Sequence, residues 1–117
     1  MQLLVAVINY EEHVDDVLAG FIELGITGAT MIDSEGMGHV LIHHPVFAGL
    51  RRSLGPRSRP INHTVFSVID DDKIDAAIAV IQRVCGSLEV PGAGIVFAVP
   101  VSRVVGLAPA LGLDANG

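Results

Sequence analysis

The sequence predicts an α+β domain built from two similar halves. Each half carries an apolar, β-branched run, then a segment with apolar residues at helical spacing closed by a glycine, then a second strand-like run. A long loop joins the halves. The order strand–helix–strand, loop, strand–helix–strand is the split βαβ, ferredoxin-like pattern. It implies a four-stranded antiparallel sheet, and right-handed crossovers put both helices on one face of it.

The elements follow in order. Residues 2–9 form a continuous apolar run, the signature of a strand buried on both faces. Asn9 is placed to cap a helix, with Glu12 three residues later completing a capping box. Glu11, Glu12, Asp15 and Asp16 crowd the first turns, where the helix dipole favours negative charge. Val14, Val17, Leu18, Phe21 and Ile22 recur at helical spacing, and Gly25 ends the helix. Residues 28–35 read as the second strand. In the second half, Thr64 to Ile69 is a strand, Asp70 or Asp71 caps a helix carrying Ile74, Ala77, Ile78, Ile81 and Val84, and Gly86 ends it. Ile95 to Val99 is the last strand, stopped by Pro100. The tail over 106–117 is expected to be loose.

A chain of 117 residues is one domain, spanning 1–117. Half of its residues are apolar, with no Trp and one Tyr, which is rich for a small solitary domain. The first and last strands are apolar on both faces, so the sheet face away from the helices needs a cover, and another copy of the chain is the best candidate. The net charge of −6 argues against nonspecific nucleic-acid binding by the body of the domain. The single cysteine, Cys85, falls on the apolar side of a helical pattern and rules out a disulfide framework within one chain. That fits a reducing cytoplasm. No apolar run approaches the ~20 residues that span a bilayer.

The loop over about 37–62 is the exception in an acidic chain. No Asp or Glu occurs between Glu35 and Asp70, yet four of the seven basic side chains lie there: Arg51, Arg52, Arg57 and Arg59. Phe47, Leu50 and Leu54 sit at helical spacing beside the arginines, as in a short amphipathic segment that folds on contact. The loop is read as a contact device for a target protein, an anionic membrane surface or a ligand phosphate.

Gly25-Ile26-Thr27-Gly28-Ala29-Thr30, Glu35-Gly36-Met37-Gly38 and Gly92-Ala93-Gly94-Ile95-Val96-Phe97 together resemble the motifs of the PII nitrogen-regulatory signalling family. The resemblance covers most of residues 2–101 in order and spacing. It implies a homotrimer with a nucleotide pocket in each cleft between subunits, and it puts the basic loop in the place of that family's target-binding T-loop. By matching motifs, Thr30, Gly36, Met37, Gly38, His39 and Val68 would face an adenine nucleotide, and Gly92, Ala93 and Gly94 would offer backbone amides. A glycine lets an amide approach phosphate with no side chain in the way.

The departures from that pattern concern charge. Ile95 stands where the family carries a lysine, His39 where it carries an arginine, and no basic residue follows Arg103 to match its C-terminal arginine pair. The loop also lacks the tyrosine that is uridylylated in many relatives. A triphosphate, with about four negative charges, needs compensating cations. A less charged adenine mono- or cyclic nucleotide suits these residues better, and Arg57 and Arg59 are candidates to fold back and supply charge.

The same residues admit other readings. His39, His43 and His44 suggest a metal-responsive trimer of the CutA-like type, but Pro45 argues against a helix that would align them, so no metal site is assigned. A ligand-free assembly protein is a third reading. Asp70-Asp71-Asp72 precedes a helix and is explained by capping rather than metal binding. No pair of carboxylates and no Ser/His/Asp arrangement suggests catalysis, and no required cofactor is implied. The sequence thus points to a non-enzymatic regulator with a nucleotide effector and a protein target, a membrane transporter by family analogy.

Overall fold

A computed structural model describes residues 1–37, 61–90 and 93–107. Strand β1 (Gln2–Ile8) leads to helix α1 (Glu11–Glu23) and strand β2 (Thr30–Ser34). Strand β3 (Asn62–Ile69), a 3-10 turn (Asp71–Lys73), helix α2 (Ile74–Cys85) and strand β4 (Ile95–Pro100) complete the second half. The sheet order is β2-β3-β1-β4 with every neighbouring pair antiparallel, the ferredoxin-like topology that the sequence predicts.

The pleat divides the strands between two faces. Leu4, Ala6 and Ile8 of β1 and Val65 and Ile69 of β3 pack under the helices with Val14, Val17, Phe21, Ile74, Ala77, Val80 and Ile81. The buried helical positions of the two halves correspond one to one: Val14 with Ile74, Val17 with Ala77, Gly20 with Val80, Phe21 with Ile81. The helices meet where the last-but-one pair faces itself. A Cβ on Gly20 would lie 2.5 Å from Cγ1 of Val80, so the crossing distance is set by a glycine against a β-branched side chain.

Three local expectations change. The N-cap of α1 is Tyr10, in an extended conformation and with no side-chain cap bond, so Asn9 does not take the N-cap position that the sequence suggests. Asn9 lies one position too early, directly after β1. Asp70 takes the N-cap position of the 3-10 turn, again without a side-chain cap bond, and the α-helix begins only at Ile74. Ile22, expected in the core, is 54 % exposed. It stands on the flank of α1 that overhangs the edge strand β2, where the sheet ends and leaves nothing to cover it.

The glycine-terminated helix ends are as expected. Gly25 has φ +81°, its N–H donates to the Ile22 carbonyl, and the Ile26 N–H donates to that of Phe21. This double bond pattern is a Schellman motif, and its apolar partners Phe21 and Ile26 are both buried.

On the opposite face the side chains of all four strands form rows. Phe66 and Phe97 flank Val5, Thr64 and Ile95 flank Val7, and Val68 and Val99 flank Leu3. Ile32 extends the second row on β2. Ile95, Phe97 and Val99 are 55, 46 and 41 % exposed. No described element covers this face.

Gly20→Val should destabilise the domain by about 1–3 kcal/mol by overpacking the helix crossing. Urea unfolding of the single variant and of Gly20→Val/Val80→Ala checks this, with the second substitution restoring most of the loss because it removes the colliding methyls.

Candidate functional site

The residues singled out by sequence fall at two ends of the sheet. One end is where β2 leaves for the loop and β3 returns. Gly36 lies there, its Cβ position 3.3 Å from the Asn62 amide nitrogen, with Met37 beside it. Gly94 enters β4 at the same end. It has φ +131°, and a Cβ there would lie 2.6 Å from the carbonyl oxygen of Val7. Glycine at 94 is therefore required by the close approach of β4 to β1. The Ala93 N–H donates to the Val90 carbonyl at 3.1 Å, so that amide is engaged within its own turn.

The other end holds the turn from α1 into β2. Residues 25–28 line an open cavity of about 310 Å³ together with Met1, Val68, Ile69, Asp70, Lys73 and Leu107. Ser67, buried on β3, donates from its hydroxyl to the Gly28 carbonyl at 2.6 Å and ties the turn to the strand. A Cβ on Gly28 would meet nothing within 4 Å, so no contact with a described residue demands a glycine here. The space above it is cavity. A second, apolar cavity of about 180 Å³ lies on the other side of the turn, between α1 and β2, and shares Ile26 and Thr27 with the first.

Electrostatics at this end are mixed. The Asp71 carboxylate pairs with the Met1 ammonium at 3.0 Å. The hydrogen bond from that ammonium, a second from the Gln2 side chain and the ammonium's charge hold its pKa below the ordinary 3.8. Lys73 and Asp70 also line the cavity, and neither is in an ion pair with another described residue. At the loop end, His63 Nδ1 lies 3.0 Å from an Asp33 carboxylate oxygen, and the Ser34 and Thr64 hydroxyls are 2.8 Å apart. Cys85 is half-buried, and burial raises its thiol pKa, which leaves it inert near neutral pH.

Of the residues assigned from sequence, Val68 lines the larger cavity and Thr30 lies two positions beyond Gly28, opposite Phe66 on the uncovered face. Gly36 and Met37 sit roughly 20 Å away along β2, at ~3.3 Å per residue. Gly36 and Gly94 share the loop end but belong to opposite edges of the sheet, about 14 Å apart at ~4.8 Å per strand. Gly38, His39, Gly92 and the loop residues Phe47, Leu50, Arg51, Arg52, Arg57 and Arg59 lie outside the described residues. So do His43 and His44; among the described residues no group of three or more His, Cys, Asp or Glu is placed to hold a metal ion. Sequence reasoning missed Met1, Ile69, Asp70, Lys73 and Leu107, which meet at the cavity only through tertiary folding. The Gly25–Gly28 turn carried a usable signal, since a second glycine three residues after a helix-ending one is not explained by termination.

A split βαβ domain with an apolar sheet face that no described element covers has the architecture of a small α+β regulatory module. The chain belongs to the nitrogen regulatory protein P-II family, whose family model matches residues 1–109. It is thus a member of a family of non-enzymatic signalling regulators. No curated protein matches the chain. Among the described residues, no helix is long and apolar enough to cross a membrane.

Ser67→Ala should cost about 1 kcal/mol and speed amide hydrogen exchange across Gly25–Thr30, because the Gly28 carbonyl loses its donor. For Asp71, the lowered folded-state pKa means its contribution to stability is present above pH 3.8 and is lost as the pH falls through the depressed value. Melting curves of Asp71→Asn and the parent should therefore differ at neutral pH and converge in strong acid.

Proposed function

We propose that the chain works as a homotrimeric signal-transduction module that binds an adenine nucleotide in the clefts between subunits. Its basic loop, through Phe47, Leu50, Arg51, Arg52, Arg57 and Arg59, engages a target protein such as a membrane transporter, with the domain itself in the cytoplasm. The observation that carries this reading is the bare sheet face. Leu3, Val5 and Val7 lie in rows with Phe66, Phe97, Ile95 and Val99, and an apolar surface of that extent is a place for another subunit. Family membership supports three copies around an axis.

The distribution of the cradle residues supports a cleft between subunits. Gly36, Met37, Ala93 and Gly94 lie at the loop end of the sheet, and Gly28, Thr30 and Val68 toward the other end. One subunit keeps the two groups apart. A neighbour packed against the open face brings the loop end of one copy to the turn end of the next. A ligand held at Gly36–Gly38 touches the root of the loop, so occupancy biases the loop between two arrangements.

Light scattering should give three chain masses, and Phe97→Asp should reduce the assembly to monomers by placing a charge in the apolar face. ATP, ADP, AMP and cyclic AMP tested by thermal shift should include at least one that raises the melting temperature of the parent by several degrees and does not raise that of the monomeric variant. A stable parent monomer at high concentration contradicts the reading.

A further inference from the structure

We propose that the apolar groove between α1 and β2 is the docking site of the chain's own C-terminal segment, residues 108–117, with Leu111 and Leu113 seated against Ile22 and Met31. This contact does not depend on any nucleotide.

The groove lies at the edge of the fold. β2 is an edge strand, and Met31 pairs with Val65, which puts it on the sheet face that carries the helices. Ile22 reaches over that edge from α1. These two side chains are 54 and 48 % exposed, although Leu18, Phe21 and Ile26 beside them pack in or against the core. None of the described residues that line the groove is charged. Such a surface suits aliphatic side chains and offers a charged group no partner. An uncovered edge strand flanked by apolar side chains is also a template for aggregation, and proteins commonly cover one with a further segment.

The chain leaves β4 in the right place to supply that segment. Leu107 lies in the turn-end cavity against the Gly25–Gly28 turn. The groove is on the other side of that turn and shares Ile26 and Thr27 with the cavity. Residues 108–117 lie outside the described residues, and Leu111 and Leu113 are the only large apolar side chains among them. Leu107, Pro109, Leu111 and Leu113 alternate with Ala108, Ala110, Gly112 and Asp114. In an extended segment that alternation puts Pro109 and every leucine on one face, and small or acidic residues on the other. Pro109 disfavours helix at Ala108 and so favours the extended form.

The reach is sufficient. At ~3.3 Å per residue, Leu111 extends ~13 Å and Leu113 ~20 Å beyond Leu107. Met31 is four residues from the shared Thr27, at most about 14 Å along the chain. The segment therefore spans the turn and delivers both leucines to the groove. Tethering favours it over a free partner, because a segment held a few residues away acts at an effective concentration in the mM range.

Methyl NMR on the full chain tests this. Cross-peaks are expected from the Leu111 or Leu113 methyls to the Met31 methyl and the Ile22 δ1 methyl. Met31→Lys should remove them and speed amide hydrogen exchange over 110–113 by tenfold or more. Leu111→Ser/Leu113→Ser touches no core residue, so it should shift the Met31 methyl resonance and leave the far-UV circular dichroism unchanged. A mixture of chains labelled only at leucine with chains labelled only at methionine should lose the cross-peaks, because the contact is made within one chain. Cross-peaks that appear in that mixture place another copy's segment in the groove and overturn the proposal. So do cross-peaks to Met31 from Phe47, Leu50 or Leu54, or exchange over 110–113 that is indifferent to Met31→Lys.

Discussion

Strand β1 is hydrogen-bonded on both sides and apolar on both faces, and the rest of the molecule is arranged around that fact. Alternate residues of a strand point to opposite faces. Leu4, Ala6 and Ile8 go under the two helices, while Leu3, Val5 and Val7 go to the other side with Phe66 and the β4 residues beside them. The helices can bury only one of these layers. Val5 is nonetheless buried by its neighbours, and the apolar surface left open lies mainly on Ile95, Phe97 and Val99, where at ~25 cal/mol per Å² a further cover would add stabilisation. The fold is complete within one chain, but the burial is not.

Three glycines in this framework do different physical work. Gly20 sets how closely α1 and α2 cross, because Val80 fills the space a side chain would need. Gly94 has a positive φ and a backbone so near the Val7 carbonyl that any side chain would collide. Neither needs a ligand to explain it. Gly28 is the contrast, since its missing side chain leaves open space beside the cavity. A glycine explained by packing is weak evidence for a site, and one explained by no contact with a described residue is stronger evidence for something approaching from outside.

Charge separates this chain from a generic member of its family. Ile95 lies in the Gly92–Phe97 segment and no basic residue follows Arg103, so this part of the chain is poor in cations. Folding places Lys73 at the Gly25–Gly28 turn, but it brings Asp70 to the same cavity. Among the described residues the cavity lining carries one lysine and one aspartate.

The sequence by itself determined the element order, the sheet topology, the glycine-ended helices and the unbalanced apolar faces. Those properties come from local periodicity and chain connectivity, which a sequence displays directly. The start of α1 at Glu11, the 3-10 turn before Ile74 and the exposure of Ile22 were not legible, because helix starts depend on competing bonds and burial depends on where the sheet ends. Among the expected site residues, the motif glycines and Val68 were assigned from their likeness to family motifs, and the structure places Val68 at the turn-end cavity. The meeting of Lys73, Asp70, Met1 and Leu107 with the Gly25–Gly28 turn was decided by tertiary structure alone. These residues are distant in the chain and share no motif, and only the antiparallel register and the return of the chain past β4 bring them to one cavity.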